Sequence, residues 1–85
     1  MMKPTTGRIL RYRGNQGHNA VRAAIVTADV ETLDPSGVES GAVPALDSDM
    51  HVHLWVFTPG GAMGFAEHNV APGDEPGQWH WPARA

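Results

Sequence analysis

The chain contains no cysteine in its 85 residues, which excludes disulfide staples and thiolate metal sites. The lack matters because a chain of this length buries only a little over ~60% of its unfolded surface. Its remaining routes to stability are an economical sheet, a His/carboxylate metal site, or association. No apolar run approaches the ~18 residues of a membrane-spanning helix. The opening "MMKPTTGR" lacks the apolar stretch of a secretory signal. The expectation is a soluble, cytoplasmic chain with no membrane partner. Sustained 3.6-residue periodicity is also missing, and ten glycines and seven prolines interrupt the sequence. Helix is therefore expected to be limited to one short turn. Finally, residues 23–83 contain no lysine or arginine, yet they carry all nine acids. Lys3, Arg8, Arg11, Arg13 and Arg22 sit in residues 1–22, where there is no acid. Charges so divided pair across a folded sheet or between subunits, and the basic segment attracts an anionic ligand.

What is present reads as strands. "GRILRYR" (7–13) places Leu10 and Tyr12 on one face with Arg8, and Ile9, Arg11 and Arg13 on the other. "GNQGHN" (14–19) is turn chemistry. "VRAAIVTADV" (21–30) carries Val21, Ala23 and Ile25 on one face and Ala24, Val26, Ala28 and Val30 on the other. That double-sided apolar character suits a central strand. "MHVHLWVF" (50–57) alternates aliphatic Met50, Val52, Leu54 and Val56 with His51, His53, Trp55 and Phe57, the cleanest period-two signal in the chain. "TPGG" (58–61) predicts a tight turn into "AMGFAEHNV" (62–70), with Met63 and Phe65 on one face. "APGDEPG" (71–77) is a second turn-rich link, and "QWHWP" (78–82) is a short last strand stopped by Pro82. Residues 31–49 hold two prolines, two glycines, three serines and five acids. They are expected to form one long, flexible acidic loop. The fold expected is all-β and a single domain, 1–85. Its plan is a small five-stranded antiparallel barrel or strongly bent sheet, SH3-like or OB-like.

The aromatic set is Tyr12, Trp55, Phe57, Phe65, Trp79 and Trp81. Trp79, Trp81, Phe57 and Phe65 are assigned structural roles, because large aromatics in a small domain belong to a core or interface. Trp79 and Trp81 share a strand face, with His80 opposite. They are expected to press onto either Trp55 and Phe57 or Met50, Val52 and Leu54. A ligand site is assigned to Arg8, Arg11, Tyr12, Arg13, Arg22, His53 and Trp55. Arginines that hold a phosphate beside stacking aromatics are how small barrels hold nucleotides. The net charge of −3 argues against long nucleic acid, which needs an extended basic surface.

His51-x-His53 points two imidazoles the same way, and His68, His18, His80 and Glu67 are conceivable further ligands. Zinc takes three or four ligands, and two histidines on the wetter face of a strand are the plainer reading. No metal or cofactor is expected. No Ser, Cys or Lys nucleophile motif and no phosphate-loop motif is present, and "TPGG" and "APGD" lead into no helix. The chain is expected not to be an enzyme.

Four blocks, "GRILRY", "RAAIVT", an apolar strand running into "TPGG", and "PGQWHWPAR", resemble in order and spacing a family of short uncharacterised proteins of actinobacteria and their phages. The likeness covers nearly the whole chain, and P-G-x-W-x-W-P is its most specific block. The sequence departs from the family pattern at "RGNQGHN", where a Tyr/Gly/Pro-containing stretch is more usual, and loop 31–49 looks like a variable insertion. The resemblance implies provenance, a phage-type accessory protein in the host cytoplasm, and transfers no role to any residue. The functional expectation is a non-enzymatic, homo-oligomeric binding module that sequesters a host protein or a small anionic ligand such as a nucleotide signal. The alternative is a virion structural protein, a capsid decoration or assembly factor, in which the acidic loop and strand 7–13 pair between copies.

Overall fold

The computed structural model describes residues 2–14, 21–60 and 63–82. Five strands form one sheet: β1 (Ile9–Arg13), β2 (Val21–Ala28), β3 (Val52–Phe57), β4 (Gly64–Val70) and β5 (Trp79–His80). Their order is β4-β3-β2-β1-β5, and every pairing is antiparallel. The chain is thus all-β apart from one short helix. β1 to β4 form a meander of neighbours, and β5 returns to the far side of β1, where Tyr12 faces Trp79 and Arg11 faces His80.

The period-two patterns set which face is dry. Leu10 and Tyr12 of β1, Ala24 and Val26 of β2, Val52, Leu54 and Val56 of β3, Val70 of β4 and Trp79 of β5 form the buried core. Met50, Phe65 and Trp81 pack against it. Register ties these side chains into rows, Leu10–Ala24–Val56–Phe65 and Val26–Leu54. Cross-strand neighbours of this kind are the unit of sheet stabilisation.

The expected barrel is not formed. β4 and β5 are the two edges of an open sheet. Beyond β4, the chain meets β5 in one parallel bridge, Pro72 with Trp79. It is closed by Trp79 N–H to the Ala71 carbonyl (3.0 Å) and Gly73 N–H to the Trp79 carbonyl (2.8 Å). The ladder stops there because β5 is two residues long. The β2–β3 register shifts between Val26 and Ala28, and the β3–β4 register between Val52 and Leu54. Bulges of this kind bend strands and break pairing locally. In the second, Asn69 adopts φ +54, a left-handed conformation that asparagine tolerates.

Segment 31–49 holds more structure than a plain loop. It contains α1 (Pro35–Ser40). Asp34 caps the helix by accepting from Ser36 N–H at 3.1 Å, Pro35 occupies its first turn, and Gly41 ends it at φ +83. A proline just inside and a glycine just past the end is the ordinary asymmetry of helix termini. The segment is tied down beyond α1 as well. Asp47 N–H donates to Asn69 Oδ1 (3.0 Å), and Asn69 Nδ2 donates to Asp47 (2.9 Å). Of the expected turns, "GNQGHN" lies outside the described residues except for Gly14. In "TPGG", Gly60 takes φ +70, and Gly61 lies outside them.

Candidate binding surface

The two terminal tryptophans fall on the core side of the sheet. Trp79 is 1% exposed, and its indole N–H donates to the Met50 carbonyl at 2.9 Å. Trp81 packs edge-on against it, ring centres 5.6 Å apart at 88°, and is half-buried. Both therefore press onto the Met50, Val52 and Leu54 side of β3. Trp55 and Phe57 are on the opposite face. Phe65 joins the core side, edge-on to Tyr12 at 6.3 Å. Phe57 lies outside the core: it is 49% exposed on the outer face, because alternation from buried Val56 points it away from the core.

The seven residues assigned to a ligand site are divided by the sheet. Tyr12 is buried in the core. Burial, with the negative charge of Glu67, raises its phenol above the usual 10.0, and Arg22 opposes that shift. Arg22 is half-buried over Phe65, 5.6 Å from the ring centre. Arg8 lies 6.0 Å from the centre of the Trp81 ring, within the range of a weak cation–π contact. These three belong to the core side and its rim. Arg11, Arg13 and Trp55 lie on the outer face and are exposed. One ligand cannot touch both sets through a continuous sheet.

His53 is committed within the chain. Asn69 N–H donates to its Nδ1 at 3.0 Å, so the proton sits on Nε2, 2.8 Å from the Pro44 carbonyl oxygen. Both ring nitrogens are used, and the ring is 3% exposed. It meets His68 edge-on at 5.0 Å. His51 bonds Ser48 Oγ through Nδ1 at 2.6 Å. Among the described residues no three His, Asp or Glu side chains converge as metal ligands; His18 lies outside them.

What the outer face brings together is an apolar surface. In register, Ile9 faces Ile25, Ile25 faces Trp55, and Trp55 faces Ala66, one row across four strands. The adjacent row runs Arg11–Ala23 on β1 and β2 and Phe57–Gly64 on β3 and β4. Ile9 is 62% and Trp55 37% exposed. Gly64 lies beneath the Trp55 indole: a Cβ there would stand 2.6 Å from Nε1. Small residues at 23, 64 and 66 keep the face flat between larger side chains. A half-open hollow lined by Lys3, Pro4, Asp29, Glu31 and Asp49 among others lies away from this face, and its volume of about 10 Å³ holds no more than a water. It is below the ~300–1,000 Å³ of ordinary ligand sites.

Sequence reasoning missed Asp29. Its carboxylate is buried and accepts from Thr6 N–H (2.8 Å), Glu31 N–H (2.7 Å) and Thr32 N–H (3.0 Å). Burial alone would raise its pKa, but these hydrogen bonds outweigh it and hold the group below its usual 3.8. The available signal was Asp followed three residues later by Thr at the end of a strand, an Asx-turn pattern.

No protein-family model, no curated protein and no solved structure matches the chain.

Proposed function

We propose that the protein is a non-enzymatic binding module that docks on a macromolecule through the outer face of its sheet. One observation carries this reading. The row Ile9–Ile25–Trp55–Ala66 is a contiguous apolar strip left in water, beside Arg11 and Arg13, which have no carboxylate partner among the described residues. Exposed apolar strips rimmed by polar residues mark interaction sites. Flatness favours a protein surface over a nucleotide, which needs a concave site. The strand order, a meander whose fifth strand returns to pair with the first, supports an SH3-like plan, a scaffold that hosts many unrelated binding functions. The partner class is therefore a protein, and the resemblance to phage-borne proteins favours binding in the host cytoplasm.

A photo-cross-linking residue in place of Phe57, compared with one in place of exposed Met2, outside the sheet, tests the reading in cells. Adducts specific to position 57 are expected. None, or equal yields at both positions, overturns it. The virion alternative draws on the same unpaired arginines and on the exposed acids of 31–49, which suit contacts between copies in a lattice. Mass spectrometry of purified particles at lattice stoichiometry would favour it instead.

A further inference from the structure

Along the strand direction the outer face is polarised. At one end stand Arg13 and Arg11, in rows with Val21 and Ala23. The apolar row of Ile9, Ile25, Trp55 and Ala66 comes next. At the other end is His53, which alternation places on the same face as Trp55, with the Pro44 stretch bonded over it. The acidic segment is therefore raised above the sheet at that end. Of that segment's acids, Asp47 is placed here: it is exposed and hydrogen-bonded to Asn69, whose N–H donates to His53. Among the described residues it forms no ion pair; the pairs present are Lys3 with Glu31 and His80 with Asp74. The outer face thus carries Arg11 and Arg13 at one end and Asp47 at the other.

We infer that the occupant of this face is a second copy of the chain, packed outer face to outer face about a two-fold axis perpendicular to the strands. This rests on the reading of the outer face as the binding surface. Charge selects the axis. A two-fold axis parallel to the strands would set Arg11 and Arg13 against their own counterparts. The perpendicular axis reverses the ends, so each basic end meets the partner's acidic segment. An isologous contact of this kind satisfies both ends at once. Four strands at ~4.8 Å spacing make an apolar strip about 15 Å wide. Two rows of it fall well short of the ~800 Å² per partner of a stable interface, so the contact has to extend onto the stretch around Pro44 of each copy.

Sedimentation velocity on the full chain tests this, with far-UV circular dichroism to confirm that each variant is folded. The wild type is expected to dimerise, and Arg11→Glu/Arg13→Glu to weaken the dimer at least tenfold. Asp47→Lys is expected to do the same, since arginine then meets lysine. Mixing the two variants restores complementarity at both ends of the interface, so a heterodimer of wild-type affinity is expected. Two results overturn the inference. One is a wild type that stays monomeric at about 100 μM. The other is a dimer indifferent to the charge reversals and to mixing. If cross-links from position 57 to another protein persist in cells beside a monomeric chain, the binding surface stands and the second copy falls. If position 57 yields none, both fall.

Discussion

Replacing Trp79 by alanine is expected to remove most of the stability of this protein. A buried tryptophan removes about 150–250 Å² from water. At ~25 cal/mol per Å² that is worth about 4–6 kcal/mol, and partial collapse of the site reduces the measured loss to about 3–5 kcal/mol. The lost hydrogen bond also leaves the Met50 carbonyl without its indole donor, at a further ~1 kcal/mol. A domain of 85 residues has only about 4–13 kcal/mol to lose. Trp79→Phe separates the two contributions: it keeps most of the apolar volume, loses the donor, and is expected to cost about 1–3 kcal/mol. Urea unfolding followed by far-UV circular dichroism is the right assay, because tryptophan fluorescence changes with the substitution itself. Trp81 is the internal control. The sequence treats the two indoles alike, but Trp81 is half-buried and its Nε1 has no hydrogen-bond partner among the described residues. Trp81→Ala is therefore expected to cost clearly less than Trp79→Ala. A Trp79→Ala protein that loses under about 1 kcal/mol would refute the core assignment, as would one matched or exceeded by Trp81→Ala.

Asp29→Asn presents an amide N–H to donors that a carboxylate accepted, and is expected to cost about 1–3 kcal/mol near neutral pH. Because the native pKa of Asp29 is lowered, its contribution is complete above the usual 3.8 and is lost as pH falls through the native value. The stability gap between wild type and Asp29→Asn should therefore narrow in acid; a gap constant from about pH 7 to about pH 2 would contradict the role given to this carboxylate. Gly64→Ala sets a methyl against the Val56 carbonyl and the Trp55 indole, and only the exposed indole can give way. A loss of about 1–3 kcal/mol is expected, read as a fall in Tm of roughly 4–8 °C per kcal/mol; an unchanged Tm would mean that the backbone yields there.

The faces of single strands were legible because period two is a local property. Leu10 and Tyr12 on one side, and Ile9, Arg11 and Arg13 on the other, follow from alternation alone. The alternation of residues 50–57 likewise identified Val52, Leu54 and Val56 as a coherent row. The side on which Trp79 and Trp81 would land was not legible. Both faces of β3 are non-polar enough to receive an indole, and the choice is made by the pairing of β5 with β1, where Trp79 meets Tyr12, 67 positions away in sequence. The ligand set failed to assemble for the same reason. Arg8, Tyr12 and Arg22 attract attention by type, but their strand positions put them across the sheet from Arg11, Arg13 and Trp55. His53 looked available because its partners, Pro44 and Asn69, are distant in sequence. α1 is too short to show a period. Its signals were the capping residues Asp34, Pro35 and Gly41, set in a stretch whose glycine, proline and serine content reads as coil.

β5 has a consequence out of proportion to its two residues. It covers the outer hydrogen-bonding edge of β1, with Gly77 N–H donating to the Arg13 carbonyl (2.6 Å) and Arg13 N–H to the Gln78 carbonyl (2.9 Å). A fluctuation that lifts Trp79 and His80 away needs to break few bonds, yet it bares the backbone of β1 and opens the core above Leu10 and Tyr12 together. Such an edge is a template for the strand of another molecule. The same short strand that completes the sheet therefore governs the protein's tendency to aggregate or to exchange strands between copies, and its local opening, rather than global unfolding, sets the lifetime of the monomeric fold in concentrated solution.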